Sequence, residues 1–194
     1  MDLKDAHWPA WPSSTWVRIG GLGLALVGVA TLAVAAGRAI EADPGRPAPA
    51  ISANRWLNSK KLTAADLRGR VVLVEFWAFD CINCRRTVPA MKKLDSTYAD
   101  SEVVIVGVHT PELDDERVFS NVEKAVAKLG LGYPIAIDND YRIWNSYQNR
   151  YWPALYLVDK RGFIRHTHVG ELHEGTAGWN EVVRWIDALR QEPA

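Results

Sequence analysis

The sequence predicts an α/β domain, a mixed central sheet flanked by helices, with an apolar segment of membrane-spanning length ahead of it. Three observations predict this. Apolar runs of strand length alternate with helical periodicity in the order β-α-β-α-β-α-β-β-α, the last two strands joined as a hairpin. The only two cysteines, Cys81 and Cys84, form a Cys-x-x-Cys where the first of those strands meets a helix. Residues 19–36 contain no charged side chain.

Residues 1–16 read as a leader whose Trp8, Trp11 and Trp16 suit a membrane interface. Residues 17–37, broken only by Arg18, approach the roughly 20 residues a spanning helix needs. They are read as a transmembrane anchor or signal-anchor; a signal peptide cut after Ala33-Val34-Ala35 is the competing reading. Lys4 and Arg18 before the run are balanced by Arg38 and Arg46 after it, so charge alone sets no orientation. The folded domain is expected outside. Large domains translocate largely regardless of charge, and an anchored dithiol is most useful where thiols risk oxidation. Residues 38–50 carry Pro44, Pro47 and Pro49 and read as an extended spacer, which opens the domain at residue 51 and extends it to 194.

Within the domain, Trp56 to Ser59 with Leu62 suggests a small hairpin or a bound edge segment. Thr63-x-x-Asp66 is a capping signature for a short helix stopped at Gly69. Val71 to Trp77 is almost wholly apolar, as strands covered on both faces are. After Cys81 a helix runs to about Tyr98, with Met91, Leu94 and Tyr98 on one side. Val103 to Val108 is the next strand. A long helix is expected within 111–129, with Val118, Val122, Ala125, Val126 and Leu129 along one face. Tyr133 to Ile137 is a short strand and Tyr141 to Tyr147 a short helix. Ala154 to Val158 and Gly162 to Val169 make a hairpin around Asp159-Lys160-Arg161-Gly162. Trp179 to Leu189 closes the chain as a helix packed through Val182, Val183, Trp185, Ile186 and Leu189.

Lysine plus arginine and aspartate plus glutamate number 23 each, which argues against a nucleic-acid partner. A domain of this length buries a core without staples, and a crosslink across two residues restricts the unfolded chain little. The cysteine pair therefore reads as a redox site. Structural metal sites usually take four ligands, so no metal is expected, and dithiol chemistry needs no organic cofactor.

Several local patterns carry a resemblance. Glu75-Phe76-Trp77-Ala78 leads into Cys81-Ile82-Asn83-Cys84, with Pro89 five residues beyond. Trp152-Pro153 stands directly before a strand that continues into Leu157-Val158-Asp159-Lys160-Arg161-Gly162, and Gly107-Val108-His109-Thr110-Pro111-Glu112 precedes an extra helix and strand. Over about Trp56 to Leu189 the chain resembles the TlpA/ResA-like membrane-anchored thioredoxin family, in particular its DipZ-type thioredoxin-like domain. That resemblance implies a thioredoxin fold with a TlpA-type insertion. It implies an extracytoplasmic thiol-disulfide oxidoreductase, held in the cell membrane by one span (17–37) with its catalytic domain on the periplasmic side, that reduces protein disulfides. Its partners would be oxidised exported proteins or apocytochrome c, and a CcdA-like membrane electron donor. The Ile82-Asn83 dipeptide departs from the Gly-Pro of ordinary thioredoxins, so the redox potential does not carry over. The multi-span transporter domain of full DipZ-type proteins is not in this sequence, so the donor is expected to be a separate protein.

Site residues follow. Cys81, at the first turn of a helix, is expected to be the nucleophile, because unpaired amides and the helix dipole favour its thiolate. Cys84, one turn on, is expected to resolve the mixed disulfide. The resemblance makes Glu75 the proton acceptor for Cys84, usually through water; an edge position facing water is the alternative. It also makes Pro153 a cis proline that leaves nearby backbone free for an extended substrate, against an ordinary trans proline opening a strand. Trp77, Trp152, Ile82 and Asn83 are expected to contact substrate. Asp80, Arg85 and Arg86 flank the site, either tuning the thiolate or forming a solvated face. Lone histidines, His109 among them, read as surface or hydrogen-bonded residues. Competing functions are a disulfide oxidase, a tethered binding or metal-delivery protein on a thioredoxin scaffold, and a peroxiredoxin-type thiol peroxidase. The last needs Pro-x-x-x-Thr-x-x-Cys, where this chain has Val74 and Ala78.

Overall fold

The computed structural model describes residues 45–99 and 102–194. In chain order these form β1 (Arg46–Pro47), β2 (Trp56–Leu57), α1 (Ala64–Leu67), β3 (Val71–Trp77), α2 (Ile82–Tyr98), β4 (Val103–His109), a 3-10 turn (Asp114–Arg117), α3 (Phe119–Leu129), β5 (Ile135–Ile137), α4 (Arg142–Ser146), β6 (Ala154–Val158), β7 (Phe163–Val169) and α5 (Ala177–Gln191). The leader and apolar run expected over 1–37 lie outside the described residues, among which no helix is long and apolar enough to cross a membrane.

The strands form one sheet in the order β1-β7-β6-β3-β4-β5-β2. β3, β4 and β5 are parallel; β6 against β3, β7 against β6, and both edge strands are antiparallel. This is the expected mixed sheet, and β3 lies at its centre, buried at all seven positions. Alternation along β3 divides the core. Val71, Leu73 and Trp77 face a layer built from α2, α3 and α5, with Met91, Leu94, Val122, Val126, Val182, Ile186 and Leu189 at its heart. Val72, Val74 and Phe76 face the other side, covered by Ile51, Ala53 and the Ile143 and Trp144 side chains of α4. Glu75 shares the parity of Leu73 and Trp77, so it belongs to the side that carries the cysteines.

Two expectations are revised and one open alternative is decided. The proline-bearing stretch read as a spacer enters the sheet already at Arg46–Pro47, paired with Ile164 and Phe163. An edge strand tolerates the missing N–H of Pro47. Gly45 makes the entry possible: its φ is +70°, and a Cβ there would overlap the Ile164 carbonyl oxygen. Of the two readings of Trp56 to Ser59 the bound edge segment holds, since Trp56–Leu57 is an edge strand on β5. The helix expected within 111–129 is split: a 3-10 turn ends at Arg117, and Val118, in extended conformation, caps α3. Val118 is consequently about half exposed and leaves the packed face to Val122 and Val126.

Candidate active site

α2 begins one residue after Cys81, which is its N-cap, with extended backbone angles (φ −66°, ψ 114°). The Cys81 Sγ thereby accepts the Cys84 backbone N–H at 3.3 Å. Cys84 sits one turn along the helix, fully buried, and both thiols are free. Only 9% of Cys81 is accessible, between the exposed Asp80 and Ile82.

This geometry separates the two thiols electrostatically. The Cys84 S–H donates to the Cys81 sulfur, and the Cys84 and Asn83 amides add to it; together they hold Cys81 down to about 7 against burial and the Glu112 carboxylate. An ordinary cysteine titrates near 8.5. For Cys84 the same contact acts in reverse and, with burial and the nearby charges of Cys81 and Glu75, pushes it far above the ordinary range. Alkylation of Cys81 by iodoacetamide is expected to rise with pH through a midpoint near 7 and then level off. A midpoint near 8.5 in that rate profile would mean that the capping geometry does not stabilise the thiolate.

Glu75 lies in the central strand and is buried, which removes the water-facing alternative. Burial pushes its carboxyl up to about 7, the Tyr133 hydroxyl opposes that rise by donating to Oε2 at 2.9 Å, and the Cys81 charge adds to it. The Trp152–Pro153 peptide is cis, and Pro153 is buried ahead of β6. Two bonds lock this segment beside β3 and β4. Trp152 Nε1–H donates to the Thr110 carbonyl at 3.0 Å, and Thr110 N–H donates to the Trp77 carbonyl at 3.0 Å. Trp152 itself is partly exposed and packs on Trp144 at 4.0 Å between ring centroids.

Of the side chains expected to meet substrate, Ile82 and Asn83 are exposed and Trp152 is partly so. Trp77 is buried, its ring edge-on to His109, so it supports the site from beneath and offers a substrate no surface. His109 is not the surface or hydrogen-bonded residue expected. It is fully buried against Phe79 and Trp77 with neither ring nitrogen hydrogen-bonded, and desolvation lowers it to about 4, so it is neutral. Arg85 pairs with Asp80 at 3.5 Å and Arg86 with Glu171 at 3.2 Å, all near the surface. Such exposed pairs contribute little stability.

The profile of the AhpC/TSA family matches residues 44–167, more than half of the chain. The chain belongs to the AhpC/TSA family. Within it, the likeness is to the TlpA/ResA/DipZ-like thioredoxins. Protein DipZ of Mycobacterium tuberculosis is 50% identical over 119 residues, which cover 60% of this chain and 17% of DipZ. The chain thus matches only a small part of that relative's length. Thiol-disulfide oxidoreductase YkuV of Bacillus subtilis is 27% identical over 64% of this chain and 84% of its own. Among solved structures, the thioredoxin-like superfamily protein SPOA0173 superposes with a TM-score of 0.70 at 27% identity, over 77% of this chain and 99% of that one. The fold is the thioredoxin fold expected from the sequence.

Three residues of this AhpC/TSA site had not been expected. Tyr133 reaches Glu75 from just before β5. Glu116 is fully buried; its Oε1 accepts the Asp80 N–H at 2.8 Å, and its Oε2 accepts those of Glu112 and Leu113 at 2.6 and 2.8 Å. Thr87 Oγ donates to the Asn83 carbonyl at 3.0 Å and accepts the Leu172 N–H at 3.1 Å, tying the loop after β7 to the start of α2. In sequence, Glu116 falls within the helix expected over 111–129 with nothing to mark it, and neither Tyr133 nor Thr87 has a distinguishing spacing.

Proposed function

We propose that this domain is a thiol-disulfide oxidoreductase that reduces protein disulfides through Cys81 and Cys84, on the extracytoplasmic side of a membrane. The observation that carries the reading is the asymmetry of the dithiol: a helix-capping Cys81 held near 7 and a buried Cys84 pushed far up. The name of the YkuV relative, a thiol-disulfide oxidoreductase, supports the same chemistry.

In the first exchange the Cys81 thiolate attacks one sulfur of the substrate disulfide. A Cys81–substrate disulfide forms, and the second substrate sulfur leaves with the electron pair and takes a proton from solvent. In the second, Cys84 gives its proton to Glu75, directly or through a water, and its thiolate attacks the Cys81 sulfur. The Cys81–Cys84 disulfide forms, and the first substrate sulfur departs reduced. Two electrons have passed from the dithiol to the substrate, and a separate dithiol donor must return them. Extended substrates would lie against Ile82, Asn83 and Trp152 beside the cis Pro153. Oxidised exported proteins or apocytochrome c fit as substrates and a CcdA-like membrane protein as donor, with residues 17–37 holding the domain at the membrane.

Replacing Cys84 by alanine tests the reading directly. The variant stops after the first exchange, so it should accumulate covalent adducts in the cell envelope, visible on non-reducing gels and released by dithiothreitol. Absence of such adducts from a Cys84→Ala protein whose Cys81 still alkylates would rule out protein disulfides as substrates. The competing reading is a peroxiredoxin-type thiol peroxidase. The aliphatic Val74 and Ala78, where the peroxidatic motif needs proline and threonine, argue against it.

A further inference from the structure

Tyr133 and Glu75 are both buried, and the hydroxyl of one donates to the carboxyl of the other at 2.9 Å. A missing side chain permits the contact. The β3–β4 register sets Gly107 beside Glu75. A Cβ at 107 would stand 2.7 Å from Ile135 Cδ1, 3.0 Å from Trp77 Nε1 and 3.2 Å from Tyr133 Cε2. Glycine thus leaves the space into which the tyrosine ring closes, under the strand that carries the carboxyl group. On its other side Tyr133 borders a cavity of about 240 Å³ shared with Arg70, Asp95, Tyr98, Val103 and Pro134.

We propose that Tyr133 is a positioning residue for the second exchange, its hydroxyl fixing the Glu75 carboxylate as the acceptor of the Cys84 proton. The inference rests on the two-step reading given above. The groups around the carboxyl leave this task to the tyrosine. Its neighbours in the sheet, Gly107 on β4 and Leu155 on β6, carry no charge. From α2 come Cys81, whose charge raises Glu75, and Cys84 and Asp95, which act on Tyr133. Burial and negative neighbours therefore favour the protonated acid, and the tyrosine hydroxyl is the group that opposes them. In the exchange the Cys84 proton moves to Glu75 Oε1 or Oε2. The tyrosine keeps its own proton and serves as a fixed donor, and the carboxyl returns the gained proton to solvent once the Cys81–Cys84 disulfide has formed.

Removing the donor moves the Glu75 titration upward from about 7, so less carboxylate is present at neutral pH, while the two proteins become alike where both are fully ionised. The test is a single-turnover reaction of the reduced full chain with a chromogenic aryl disulfide, which releases one aryl thiolate in each exchange. In Tyr133→Phe the first release should keep its rate. The second should be roughly tenfold slower at about pH 6 and approach the parent rate in alkali. The Glu75 carboxyl, followed by carbon NMR, should titrate higher in the variant, a readout independent of turnover. In a Glu75→Gln background the tyrosine substitution should add nothing. Superimposable pH profiles, a loss equal at every pH, or additivity with Glu75→Gln would each overturn the proposal. A Cys81→Ser protein that still released the first thiolate would instead overturn the two-step reading beneath it.

Discussion

Cys81→Ser is expected to abolish disulfide exchange and leave the fold unchanged. The hydroxyl of serine stays protonated where the Cys81 thiol is already half ionised. A loss of at least roughly a thousandfold, about 4 kcal/mol in the barrier, should appear in the reduction of any disulfide substrate. Structurally the change is mild, because serine is a favoured N-cap and its oxygen can accept the Cys84 N–H that the sulfur now takes. The thermal midpoint should therefore hold or rise slightly. Turnover by a folded Cys81→Ser protein would move the chemistry elsewhere and leave a binding role for this surface. Glutathione disulfide and a protein disulfide should be assayed side by side, since loss of the second alone would point to docking and not to the nucleophile.

What the sequence made legible is what local pattern encodes. The apolar run of β3 predicted a strand covered on both faces, and Glu75, as the one charged residue within it, stood out for that reason. The cysteine spacing located the start of α2, and Trp152-Pro153 marked a bend that proved to be cis. What stayed hidden depends on the register of distant segments. Tyr133 and Glu75 are 58 positions apart, and Glu116 and Asp80 are 36. Only the β3–β4–β5 register brings the first pair together, and no periodicity in the chain announces it. Composition misled in one place: prolines suggested a spacer where an edge strand begins.

These hidden contacts have a common geometry. The dithiol stands on a loop and helix start that the sheet alone would not fix. Beneath it, β3 delivers Glu75 and Trp77; behind, Thr87 and Leu172 tie α2 to the end of β7. Beside it, the insertion between β4 and α3 returns Glu116 to the amide immediately before Cys81. The insertion is therefore part of the site's framework, and its acidic character has two uses. Glu112, exposed, opposes thiolate formation at Cys81 by its charge, whereas Glu116, buried, acts as a hydrogen-bond hub.

Glu116→Ala is accordingly expected to cost stability and thiolate control together. It removes the acceptor of the Asp80, Glu112 and Leu113 N–H groups at once. Alanine reaches none of them, and solvent re-satisfies these part-buried donors only in part. At about 1 kcal/mol for each lost partner, the destabilisation is about 3 kcal/mol. For a chain of this size that lowers the thermal midpoint by about 6–12 °C. The effect should also reach the chemistry: with Asp80 released, Cys81 no longer has a fixed backbone on its amino-terminal side, and its alkylation midpoint should drift up from about 7 towards the ordinary thiol range. Glu112→Ala separates charge from bracing. It removes a repulsive charge without breaking the hub, so the Cys81 midpoint should fall slightly while the thermal midpoint stays put. Equal thermal midpoints for the two variants, measured by circular dichroism, would mean that the Glu116 contacts do not hold the dithiol loop. A lowered midpoint in Glu116→Ala with Cys81 alkylation unchanged would confine the brace to stability and leave the helix cap alone to set the thiolate.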